Sequence, residues 1–96
     1  MATPAAQFLR QARQTLQEHP GGPSDVDGYR GVSHACYMLA QLTHSEIIKI
    51  RLAHIERLAH QLYGRQLSAQ GIKEVRKIIV GELDGIQQMI DDKTQD

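Results

Sequence analysis

Aromatic side chains are scarce in this chain of 96 residues, which has no Trp, one Phe and three Tyr. A core with so few rings rests on aliphatic contacts, which suits helices packing through Leu, Ile, Val and Ala and argues against a deep aromatic-lined pocket. Cysteine is nearly missing as well. The single Cys36 cannot close an internal disulfide, so a reducing cytoplasm is the expected location. Net charge is absent: 11 basic residues balance 11 acidic ones, which removes the long-range attraction of a general nucleic-acid or membrane-surface binder. No apolar run approaches the ~20 residues of a membrane span or follows a charged start like a signal peptide, so no membrane partner is expected.

Isoleucine is what the chain does have, and all nine copies fall from residue 47 onward, at Ile47, Ile48, Ile50, Ile55, Ile72, Ile78, Ile79, Ile86 and Ile90. Within 44–63, Ile48, Leu52, Ile55, Ala59 and Leu62 recur at helical spacing, with Ile47 and Leu58 widening the stripe. Within 69–92 the pattern returns as Ile72, Val75, Ile79, Leu83, Ile86 and Ile90. Gly64 reads as the C-cap of the first run and Ser68 as the N-cap of the second, and so short a loop makes the two helices antiparallel neighbours. Thr43-His44-Ser45-Glu46 reads as a capping box opening the first of them.

The N-terminal half is less strongly patterned. Thr3 caps a helix with Pro4 at its first position, and the helix ends before His19-Pro20-Gly21-Gly22-Pro23. Its stripe of Ala5, Phe8, Leu9, Ala12 and Leu16 is thin. A further helix starts at a Ser24–Asp27 box or after Gly28 and runs on Tyr29, Val32, Cys36 and Leu39, either ending near residue 43 or continuing into the next.

These readings give an all-α fold: one domain over 1–96, a bundle of three or four helices built on the antiparallel hairpin of 44–63 and 69–92. Residues 1–23 are expected to pack loosely, 24–92 to form the core and 93–96 to fray. A chain this short buries only somewhat more than ~60% of its unfolded surface, so a homodimer is expected to complete the core.

No constellation for catalysis stands out. The five histidines are His19, His34, His44, His54 and His60. The closest pair on one helix, His54 and His60, is six apart, so the two rings do not share a face for a metal. Glu56 and His60 are spaced for a surface ion pair. Cys36 lies in an apolar stripe with no His placed to activate it, and no phosphate-cradling loop is present. The expectation is a non-enzymatic protein with no metal and no cofactor.

Charge is unevenly spread. From His44 to Lys77 seven basic residues face three acidic ones, whereas 78–96 hold five acids against Lys93. In the last helix this opposes the macrodipole, at a cost of about 0.3–1 kcal/mol for each placement, which points to a partner. Gly81 and Gly85, four apart, would let another backbone approach. The leading expectation is therefore a regulatory or adaptor protein that binds another protein through Arg57, Arg65, Lys73, Arg76 and Lys77 for charge and Ile78, Gly81, Gly85 and Met89 for close packing. A DNA-binding alternative would insert the last helix into the major groove through Gln70, Lys73 and Arg76, but the neutral chain lacks the electrostatic footprint.

Ala59-His60-Gln61-Leu62-Tyr63-Gly64 resembles the histidine-containing phosphotransfer domains, four-helix proteins whose phosphorylated His is followed by Leu two residues on and Gly four residues on. The resemblance covers six residues and implies His60 as phosphoacceptor. Tyr63 stands where that family usually has Lys, and Gly64 reads here as a helix end where the family's helix continues.

Overall fold

The first helix begins where its capping residues place it. In the computed structural model, which describes residues 3–95 and the side chains of 3–92, Thr3 Oγ1 accepts the Ala6 N–H at 3.1 Å and Pro4 opens α1, Pro4–Glu18. Three further helices follow: α2, Val26–Leu42; α3, Glu46–Gly64; and α4, Ala69–Gln95. Residues 93–95 therefore continue α4 where a frayed tail was expected, and Asp96 lies outside the described residues.

Three helix boundaries differ from the sequence reading, each for a local reason. Asp25, not Ser24, caps α2: its Oδ1 accepts the Gly28 N–H at 2.9 Å, while Ser24 sits at φ 67° and so cannot hold the extended backbone of a cap. Ser45, not Thr43, caps α3 by accepting the Ile48 N–H at 3.3 Å, whereas Thr43 Oγ1 accepts from the N–H of Ser45. Extended backbone at Thr43 and Ser45 separates α2 from α3, which settles their continuity: they are two helices. Gly64 is not a left-handed cap. It is the last helical residue, followed by an extended Arg65, because the positive-φ glycines of the chain are Gly21 and Gly22 in the α1–α2 turn.

Each helix packs on its chain neighbours, and α1 reaches α4 by the sparsest of the interfaces. The body is 43 Å long and 19 Å across, close to the about 40 Å that a helix of 27 residues spans at 1.5 Å per residue. The early part of α3 lies beside the later part of α4, since Arg51 bonds Glu82 and its guanidinium approaches Gly85.

All four helices feed the core. Leu9, Ala12 and Leu16 of α1 are as fully enclosed as Val32, Ala35, Cys36 and Leu39 of α2, Leu52, Ile55, Ala59 and Leu62 of α3, and Ile79, Leu83 and Ile86 of α4. A thin stripe on α1 suffices because glycine in α2 brings it close. A Cβ on Gly31 would lie 2.5 Å from Thr15 Oγ1, and one on Gly28 would lie 2.6 Å from the Tyr63 ring of α3. Within the chain, close helix approach thus occurs at Gly28 and Gly31.

One end of the bundle is tied by polar groups from every helix. Arg76 Nη1 of α4 donates to the carbonyls of Leu16 at 2.6 Å, Pro20 at 3.0 Å and His19 at 3.5 Å, so a cation satisfies the orphan acceptors at the end of α1. The Tyr63 hydroxyl of α3 donates to the His19 carbonyl at 2.8 Å, and the Gly22 N–H donates to the Leu62 carbonyl at 3.0 Å. His19 Nδ1 lies 3.0 Å from Asp25 Oδ2, joining the end of α1 to the cap of α2.

Candidate functional site

The nine residues singled out for partner contact do not form one surface. Arg57, Arg65, Lys73 and Lys77 are exposed and have no ion-pair partner among the described residues. Arg76 is committed to the α1 carbonyls, so its charge serves the fold. Gly85 is closed off, because a Cβ there would meet Arg51 Nη1 at 2.9 Å, while Gly81 faces open space. Ile78 is exposed beside Gly81, and Met89 is half-buried at the far end of the bundle.

A different surface carries the two most exposed isoleucines. Ile47 and Ile50 of α3 are 60% and 64% exposed, whereas Ile48 between them is 7% exposed. At 100° per residue, Ile47 and Ile50 lie about 100° and about 160° round from Ile48, on the side away from the core stripe. His54 and Arg57 fall on the same side one and two turns on. With Arg51 and Glu82 these residues line a groove of about 400 Å³ along the α3–α4 seam. Ile47 also lines a second cleft of about 530 Å³, walled by Ala5, Leu39, Leu42, His44, Ile48 and Met89 at the α2–α3 corner. The two hollows meet at Ile47, making a continuous apolar strip.

The strip has a fixed polar floor. Glu82 accepts from Arg51 Nη1 at 2.9 Å and lies 3.2 Å from His54 Nδ1. Arg51 Nε is buried with no acceptor among the described residues, so the guanidinium is held from one side. Arg57, with no ion-pair partner among the described residues, stands at the edge. The sequence carried a signal for this face, since Ile47-Ile48-Lys49-Ile50 has more apolar residues than a single stripe can bury; Ile47 was nevertheless expected in the core, and the structure turns it outward.

Two ionisable side chains are held in their protonated form by burial. Burial pushes the Cys36 thiol up to about 12, with the nearby Glu56 carboxylate adding to it, so no thiolate is available at neutral pH. Burial likewise pushes the Tyr63 phenol up to about 12, partly offset by Arg76. Glu56 accepts from Ser33 Oγ at 3.1 Å and is not paired with His60. The His60 ring is exposed and stands edge-on to Tyr29, in a hollow shared with Ser24, Asp25, Tyr63 and Gly64. Among the described residues no group of three His, Cys, Asp or Glu side chains is placed to hold a metal ion, and no helix is long and apolar enough to cross a membrane.

Comparison of the chain with protein-family models, with characterised proteins and with solved structures found no match in any of the three.

Proposed function

We propose that this protein is a non-enzymatic regulatory or adaptor protein that works as a homodimer in the cytoplasm and receives an apolar helix of another protein on the Ile47–Ile50 strip. The carrying observation is the solvent exposure of two neighbouring isoleucines on a helix whose core positions are already filled. Burying such side chains is worth about 1.5–3 kcal/mol each, so a surface that keeps them in water is matched to an occupant that removes them from it. Arg57 borders the strip and favours acidic residues flanking the apolar face of the incoming helix.

The test is affinity capture from host extract with the wild-type chain beside Ile50→Asp. Proteins retained by the wild type and lost by the variant support the reading, and identical retention by both contradicts it. Nuclease treatment of the extract separates this reading from the DNA-binding alternative. That alternative is weakened by Arg76, which is occupied within the bundle, and by the burial of Ile79, Leu83 and Ile86, which anchors α4 in the core.

Phosphotransfer through His60 has two observations in its favour. The ring is exposed on a four-helix protein, and α3 includes Gly64, whose missing Cβ leaves the imidazole Nδ1 open on that side. The Asp25 carboxylate in the same hollow and Tyr63 at the usual Lys position disfavour a phosphoryl group there. Incubation with phosphoramidate distinguishes the readings, since a phosphoacceptor gains an acid-labile phosphate that His60→Gln does not.

A further inference from the structure

The outward face of α4 differs from the strip on α3. Its midpoint is Gly81, where a side chain would meet nothing within 4 Å. Gln70, Glu74, Lys77, Ile78, Asp84 and Gln88 are among the residues that stand within about 60° of Gly81, at 100° per residue. Ile78 is 45% exposed, and Lys73 and Lys77, which have no ion-pair partner among the described residues, lie on the N-terminal side of the glycine. Asp84 and Asp91 lie on its C-terminal side. Asp84 holds Arg13 at 2.9 Å but keeps 62% of its side chain exposed.

This order of charges is self-complementary. Lys77 is about 6 Å before Gly81 along the axis and Asp84 about 4.5 Å after it, and both lean to the same side of the helix. Lys73 and Asp91 repeat the relation about 12 Å before and about 15 Å after. A second copy of α4 laid antiparallel, with the two Gly81 residues crossing, therefore sets Lys77 against Asp84 and Lys73 against Asp91, each twice. Glu74 falls opposite Gln88, an amide able to donate, and Ile78 falls at the level of Gly85, where the Arg51 guanidinium already lies against the helix. In a parallel arrangement like charges would meet.

We infer that the chain pairs with a second copy of itself through antiparallel α4 helices crossing at Gly81. This deepens the proposed homodimer by naming its surface and does not depend on what occupies the α3 strip. The crossing explains the unfavourable order of charges in α4, since residues that oppose the macrodipole find their partners across the two-fold axis. It also gives Gly81, in an exposed helix interior where most residues would favour helix more, a reason to lack a side chain.

Sedimentation equilibrium on the full chain tests it, with circular dichroism to confirm helix content. Wild type is expected to dimerise in the micromolar range. Gly81→Gln keeps the helix, because its own chain leaves room for the side chain, yet weakens the dimer about tenfold or more. Lys77→Glu weakens it similarly, and adding Asp84→Lys restores affinity to within about threefold of wild type. A dimer indifferent to Gly81→Gln and Lys77→Glu overturns the α4 crossing while leaving the homodimer standing. A double variant no tighter than Lys77→Glu overturns the antiparallel pairing. A wild-type monomer at high-micromolar concentration overturns both.

Discussion

Glycine illustrates how far a residue's role depends on what faces it. Gly31 and Gly81 both interrupt helices at a nominal cost of about 1 kcal/mol relative to Ala. At Gly31 the missing methyl is filled by Thr15, whose Oγ1 would lie 2.5 Å from an added Cβ, so Gly31→Ala must push α1 away from α2. Overpacking of this kind costs about 1–3 kcal/mol and outweighs the gain in propensity. At Gly81 nothing lies within 4 Å, so Gly81→Ala gains about 0.5–1 kcal/mol in the isolated chain. Urea unfolding at a concentration low enough to keep the chain monomeric is expected to show shifts of opposite sign, and shifts of the same sign would contradict the packing described. The sequence alone could not separate these glycines, because spacing places a residue on a face but does not say what stands opposite.

At the scale of elements, the helices themselves were legible. Thr3-Pro4, the His19–Pro23 breaker run and Ser68 place their boundaries through backbone chemistry that acts over three or four residues. The caps of α2 and α3 were shifted by one and two residues, because several Ser, Thr and Asp side chains compete at each start and the winner is set by the path of the preceding loop. Asp25 wins at α2, where the Gly28 N–H chiefly lowers its carboxyl below the usual range, with the hydrogen bond and charge of His19 assisting against partial burial. A carboxylate depressed in the folded state stabilises it fully above its unfolded value, and that contribution is lost as pH falls through the folded value. Asp25→Asn keeps a capping oxygen but has no charge to lose. It is expected to be less stable than wild type at neutral pH by about 1 kcal/mol or less, with the gap closing in acid. Thermal unfolding across the acidic range checks this, and a pH-independent gap would assign the effect to shape alone.

At the scale of the whole molecule, position along the chain was a poor guide to the site. The basic residues of 44–77 read as one patch, yet Arg76 is turned in to hold the end of α1 and Arg51 is paired with Glu82, leaving Arg57, Arg65, Lys73 and Lys77 distributed over two helices and a loop. Cys36 was legible as an inert core thiol because it sits in a helical stripe, and its enclosure agrees. The outward isoleucines were visible only as a surplus, since a stripe can be counted from sequence but the number of helices available to cover it cannot. Four helices fill the core with one face of α3 to spare, and that spare face is what the functional proposal rests on.

The most direct test of that claim is the thermal unfolding of Ile47→Asp/Ile50→Asp beside Ile48→Asp. If the two outward isoleucines are surplus to the fold, the double variant melts within about 3 °C of wild type, while the single buried charge at Ile48 lowers the midpoint by about 10 °C or more. A double variant that melts as low as Ile48→Asp would show that Ile47 and Ile50 hold the bundle together, and would contradict the account of α3 as a binding face.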